Sequence, residues 1–224
     1  MKIRKYQSQD KQAVRKICAD TGLQGKPIDP VFSDREIFSS VITDYYLDHE
    51  PEHAWVVEDQ GKVVGYLLGC TNTKRFERIM ATKIIPTTIA KTLKRCFIDG
   101  KYNNHQNTKK FLKWAATKAM FEMVEHPHDA PAHLHINLAQ GYRSRRLGLD
   151  LLTNYENMLR ENGINKYFGE VFSSESRRQE ELYKRIGFEI FDKKPTTIFQ
   201  NTLENKIYMM CITKSLTPEA TPST

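Results

Sequence analysis

Residues 132–148 read AHLHINLAQGYRSRRLG, and this stretch decides the fold. AHLHINL alternates as a strand does, so His133 and His135 fall on one face together with Asn137. The loop GYRSRRLG follows, and then a helix whose Leu147, Leu151, Tyr155 and Leu159 mark one face and which ends at Gly163. A loop between a strand and a helix start offers successive backbone N–H groups at the positive end of the helix dipole, a geometry that holds phosphate or pyrophosphate. Arg143, Arg145 and Arg146 add fork-shaped donors where the dipole disfavours cations, which points to an anionic ligand.

Downstream, KYFGEVF forms a second strand and a helix runs from about Glu175 to Ile186, stopped by Gly187. Phe188–Phe191 resume a strand, and KIYMMCITK from Lys206 supplies the last one. Upstream, AWVVED and KVVGYLLGC flank Gln60 and Gly61, a hairpin signal. Residues 2–6 read as an opening strand. A helix capped by Ser8 carries Ala13, Val14, Ile17 and Cys18, and a second helix opens with a Ser33/Glu36 capping box and runs through Asp44, Tyr45 and Tyr46. Residues 73–128 are helix-prone and strongly basic, with Pro86 and Asn103–Asn107 expected to break them into two or three helices. This reading gives one domain over 1–214 with 73–128 as a basic helical insertion, and a polar, disordered tail over 215–224.

The chain has 224 residues, with 34 Lys and Arg against 27 Asp and Glu, a formal charge of +7 that favours acidic or phosphate-bearing partners. No apolar run is long enough for a membrane helix, so no membrane partner is expected, and the charged start MKIRKYQSQD points to a cytoplasmic protein. Cys18, Cys70, Cys96 and Cys211 lie far apart and read as reduced core thiols.

The order strand, helix, helix, hairpin, then strand, loop, helix, strand, helix, with an Arg-x-x-Gly-x-Gly/Ala type of loop and a Tyr shortly before Gly-Phe, resembles the GNAT superfamily of N-acetyltransferases. The loop is Arg143 to Gly148 and the later motif is LYKRIGFE, Leu182 to Glu189. The resemblance covers roughly residues 2–70 and 132–213. It implies an α/β (mixed α+β) fold: a central mixed sheet flanked by helices, with the helical insertion between the hairpin and the cofactor-binding strand. Two positions depart from the family pattern, Arg146 at the first loop glycine and Ser176 at a common asparagine.

The resemblance also implies acetyl-CoA as the acetyl donor, with direct transfer to an amine in a ternary complex. Leu138, Ala139, Arg143, Ser144, Arg145, Arg146, Leu147, Gly148 and Ser176 would bind the cofactor, and a backbone N–H near Leu138 would hold the oxyanion. Tyr183 takes the place of the general acid, with packing against the sheet as its alternative. Glu170, on a strand expected to be central and covered, would be the base or else form an ion pair with a loop arginine or lysine. His135 is a further candidate base. Asp44, Tyr45 and Asn137 are candidates for the acceptor pocket, Tyr45 reading as core on periodicity alone. The acceptor is a small-molecule or peptide amine; a nucleic acid is not expected, since the aromatics of the basic segment are spaced for helix packing, and neither is a metal, since the histidines lack a recognised ligand spacing. The competing reading is a catalytically weak acyl-CoA-binding regulatory module.

Overall fold

Strands rich in Val, Ile, Leu and Tyr assemble into one seven-stranded sheet, ordered β1-β2-β3-β4-β5-β7-β6, in a computed structural model that describes residues 1–143, 145–174 and 177–216. The strands are β1 (Lys2–Lys5), β2 (Ala54–Asp59), β3 (Lys62–Cys70), β4 (Ala132–Leu138), β5 (Lys166–Ser174), β6 (Glu189–Thr196) and β7 (Ile207–Ser215). Every neighbouring pair is antiparallel except β4 and β5. The hairpin turn is where the sequence puts it, with Gln60 and Gly61 both at positive φ (48° and 76°). The final strand lies between β5 and β6, so the expected β-α-β-α-β run closes antiparallel on β5.

Helices α1 (Lys11–Thr21) and α2 (Arg35–His49) cover one face, and α7 (Arg145–Glu161) and α8 (Arg177–Arg185) belong to the other side. Leu151, Tyr155 and Leu159 of α7 are fully buried among Trp55, Val57 and Tyr167. Tyr155 needs Gly69 beneath it, because a Cβ there would sit 2.4 Å from its ring. On the opposite face Val14, Ile17, Tyr45 and Tyr46 pack against Val56, Tyr66 and Leu68. Ser215 still belongs to β7 and Leu216 is buried, with its N–H bonded to Asn165, so the ordered chain passes the expected boundary at 214. The tail from 217 lies outside the described residues.

The insertion is helical: α3 (Thr73–Ile79), α4 (Ile85–Leu93), α5 (Gln106–Thr117) and α6 (Ala119–Glu122). Pro86 does not break it. Wide π turns at Met80–Ile84 and Lys94–Ile98 carry the helix continuously from 73 to 98, and the first lies just ahead of Pro86, where a proline lacking its N–H would disturb an α-helical ladder.

The start of α2 also differs from the expected capping box. Asp34 is the N-cap and accepts from Ile37 N–H, while Ser33 bonds Thr108 and Glu36 bonds Arg95. Asp34 is 1% exposed and ties α2 to the insertion through Arg95 (2.7 Å), Lys101 (2.9 Å) and the Tyr102 hydroxyl (2.7 Å). Burial alone would raise its pKa, but these donors outweigh it and hold the carboxyl at about 2. At the other end Glu122 accepts from Trp114, Thr196 and Thr197, tying α6 to the end of β6. Phe111 and Leu112 join Phe32, Phe199 and Phe172 between these ties. The insertion therefore wraps the α1/α2 side of the sheet, beside the strand that leaves it.

Candidate functional site

β4 and β5 pair over three rungs only, Ala132 with Tyr167, His133 with Phe168 and Leu134 with Gly169. Beyond them β4 stays on β3 as far as Leu138, and β5 stays on β7 as far as Ser174, so the two central strands form a fork. The fork exposes main-chain polar groups. Ala139 N–H bonds Val64 O at 2.8 Å, and ladder alternation then turns the N–H and C=O of Leu138, one residue back, away from β3 and into the fork. Ala139 itself is spent, because its carbonyl also takes the Tyr142 N–H. Its main-chain groups are therefore used within the fold, whereas the Leu138 N–H fits an oxyanion donor.

The β4–α7 loop sits at the mouth. Tyr142 is tied to Asp59 of the hairpin (3.0 Å), and Leu147 packs into the core beneath α7. Arg143 is not extended toward a phosphate: its guanidinium bonds the carbonyls of Leu138 (3.3 Å) and Gly25, and lies so close to Gly25 that a Cβ there would overlap it. Arg146 is exposed, and a Cβ built on Gly148 meets nothing within 4 Å, so open space borders the first turn of α7 as a backbone phosphate cradle requires. Ser144 and Ser176 lie outside the described residues, as does the side chain of Arg145.

On the α1/α2 side of the fork, β4 presents His133, His135 and Asn137, as the alternation predicts. Asn137 donates to the Tyr66 hydroxyl (3.0 Å), which lies 3.4 Å from His135 Nδ1, while His135 Nε2 lies 3.3 Å from the Asn137 amide. His135 keeps some accessible surface but is set deep among neighbouring atoms, and burial lowers its pKa to about 4. It is neutral at pH 7 and a poor base, which corrects its place among the catalytic candidates.

Glu170 stands one residue past the last β4–β5 rung. It is not covered on both sides: its side chain is 30% exposed, and its partner is His126 (2.8 Å), supplied by the segment between α6 and β4. The expected arginine or lysine is replaced by a titratable imidazole. The bond from Glu170 raises the His126 pKa, and the ring stacks on Phe168 at 4.5 Å. His133 lies behind this pair, 6% exposed, with Nδ1 at 2.9 Å from Thr73 Oγ1 and no partner on Nε2; burial, reinforced by His126, lowers its pKa to about 3. The 44 residues between His126 and Glu170 carry no local signal of the contact, so sequence reading missed it.

Tyr183, on α8, packs into the core with its ring edge toward Phe188 (6.3 Å, 82°). Burial pushes its pKa upward from 10, opposed by a bond to Gln179, whose amide also donates to Phe172 O of β5. Its hydroxyl is protonated at neutral pH. Asp44 and Tyr45 do not reach the fork. Asp44 is bidentate with Arg15 (2.5 and 2.6 Å) and lines a cleft of about 170 Å³ between α2 and α4, while Tyr45 is fully buried and donates to Glu50. Their places in the acceptor pocket are corrected: one charge is neutralised and one ring is core.

The family model described as Acetyltransferase (GNAT) family matches residues 26–188. The chain belongs to this family. Among solved structures it is similar to SsHAT, with a TM-score of 0.66 and 23% identity over 97% of this chain and 98% of that one. It is also similar to yncA, a putative acetyltransferase from Salmonella typhimurium with its cofactor acetyl-CoA (TM-score 0.52, 14% identity, 100% and 98% covered). A third is a phosphinothricin acetyltransferase from Sinorhizobium meliloti in complex with AcCoA (TM-score 0.55, 12% identity, 100% and 91% covered). No curated protein matches the chain significantly in sequence. These likenesses establish the GNAT fold, and family membership supports acetyltransferase chemistry with acetyl-CoA as donor.

Proposed function

We propose that this GNAT protein transfers the acetyl group of acetyl-CoA directly to an amine in a ternary complex. The observation that carries the reading is the fork itself, whose Leu138 N–H is left without a strand partner where a thioester carbonyl would lie. The transfer forms a C–N bond, breaks the C–S bond and needs three services: a donor for the oxyanion, a neutral amine and a proton for the departing thiolate. Leu138 N–H supplies the first, preorganised by the β3–β4 ladder. Tyr183, protonated at neutral pH, supplies the third; a phenol and a thiol differ by only about 1.5 pKa units before burial acts.

The amine proton would leave toward Glu170. Three strand residues separate its level from Leu138, about 10 Å, so a chain of water is needed, with His126 hydrogen-bonded to the carboxylate and Tyr66, His135 and Asn137 offering polar contacts along the way. Burial raises the Cys18 and Cys211 thiols to about 12, so neither offers a thiolate for an acyl-enzyme. The pyrophosphate of CoA would rest on the first turn of α7 beside Gly148. The acceptor is a small-molecule or peptide amine.

The regulatory reading has one observation in its favour. Arg143 is already occupied by main-chain carbonyls, and Arg146 restricts the loop where the family has glycine. Calorimetry with acetyl-CoA followed by CoA release over an amine panel separates the two. Binding with release for at least one amine is expected, and Tyr183→Phe should keep CoA affinity while lowering turnover about 100-fold. Binding without release for any amine would give the regulatory reading its case. Unchanged turnover in the variant would leave Tyr183 as a packing residue.

A further inference from the structure

The continuous helix over 73–98 packs Phe76, Ile79 and Met80 inward along its first half, but its second half, 85–98, is turned inside out. Its inward positions include Ile84, Thr88, Thr92 and Arg95, largely polar, and Arg95 reaches Asp34 and Glu36. Its outward positions are apolar: Ile85, Ile89, Leu93, Phe97 and Ile98 are 37%, 52%, 50%, 79% and 76% exposed. Ile85, Ile89 and Leu93 follow one another at i+4, and the π turn over Lys94–Ile98, with its extra residue per turn, brings Phe97 and Ile98 back into line with them. A helix of a single domain ordinarily packs its apolar stripe and wets its polar one. Here the polar side is used for clamping and the apolar side has no cover.

The charges beside the stripe narrow what covers it. Lys74, Arg75, Arg78 and Lys94 are exposed on the same helix against Glu77, whereas Lys83 and Lys91 line the cleft toward α2, and among the described residues none of the six makes a salt bridge. The stripe amounts to about 500 Å² of apolar surface, at the upper end of what one monomer patch shows and short of the roughly 800 Å² per partner of a stable dimer. A second copy laid on it would also bring a second set of cations against the first. The apolar residues run along one side of a single helix, which suits a soft planar partner better than an inserted peptide.

We propose that residues 85–98 form a peripheral docking surface for an anionic lipid bilayer, with Ile85, Ile89, Leu93, Phe97 and Ile98 entering the headgroup boundary and the flanking lysines and arginines meeting anionic headgroups. This goes beyond acetyl transfer and does not depend on it. It is compatible with the absence of any helix, among the described residues, long and apolar enough to cross a membrane, because an interfacial helix lies in the plane of the surface. The clamp through Asp34 makes the helix a rigid part of the domain, so docking would fix the orientation of the fork relative to the surface.

Flotation of the full chain with phosphatidylcholine vesicles, with and without phosphatidylserine, tests this. Binding to the phosphatidylserine vesicles and little to the neutral ones is expected, falling as salt is raised. Phe97→Asp with Ile98→Asp should lower the bound fraction at least tenfold at unchanged thermal midpoint, since both side chains already lie largely in water. Lys91→Glu with Lys94→Glu should shift half-binding to lower salt. No binding to anionic vesicles at low salt overturns the proposal. Binding that survives the Asp variants overturns it as well, because the net charge of the protein would then suffice without the stripe. A concentration-dependent dimer abolished by the Asp variants, with no vesicle binding, assigns the stripe to self-association instead.

Discussion

The fork and the insertion lie side by side and are built on opposite rules. Around the fork, apolar faces meet: α7 buries Leu151, Tyr155 and Leu159 against the sheet, and polar groups such as the Leu138 N–H stay free because the strands part. The insertion is held largely by charge at its two ends, Asp34 with Arg95, Lys101 and Tyr102, and Glu122 with Thr196 and Thr197, while much of its apolar surface faces out. A sheet stabilised by burial tolerates the loss of one polar contact. A segment hung on a buried carboxylate does not, because removing one partner strands the others in a low-dielectric site.

The largest expected effect follows from that difference. Asp34→Ala should cost about 3–5 kcal/mol in urea unfolding and open residues 73–122 to proteolysis, while acetyl-CoA binding at the fork persists in the molecules that remain folded. A loss below about 0.5 kcal/mol would show that the clamp is ornamental and the two regions are held alike.

Acid titration sharpens the comparison next. His133 is neutral in the fold, with a pKa of about 3, whereas an unfolded histidine takes its proton near 6.5. Below pH 6.5 the unfolded state therefore binds the extra proton, and stability is lost as pH falls toward 3. Between pH 7 and 5 the loss is about 2 kcal/mol from this residue, visible in the urea midpoint. His126 works in the opposite sense, its raised pKa adding stability below 6.5 that is lost as pH rises through its folded value. His133→Leu should flatten the acid slope by nearly one proton; an unchanged slope would place the acid sensitivity elsewhere.

The smallest effect belongs to the loop. Gly148→Val fills open space in the free protein and replaces glycine by a better helix former, so thermal stability should hold or rise by a few tenths of a kcal/mol, while CoA affinity falls about tenfold as the backbone cradle is obstructed. Equal affinity by calorimetry would move the phosphate site off the first turn of α7.

What the sequence determined by itself was local and periodic. Two-residue alternation placed His133, His135 and Asn137 on one face, the Gln60-Gly61 pair set the hairpin, and the loop motif with Leu182–Glu189 pointed to the family, because each is written within a few consecutive residues. Tertiary structure decided everything that depends on who stands opposite. Glu170 met His126 instead of an arginine or lysine, and Asp44 was neutralised by Arg15, 29 residues earlier in the chain. Asp34 displaced Ser33 as the cap because Thr108, from the insertion, occupies the serine. The sequence marked residues 73–128 as helical and basic but carried no sign of which way the apolar residues of 85–98 point. That choice fell to the Asp34 clamp, since a buried carboxylate demands its cations more strongly than a few aliphatic side chains demand cover.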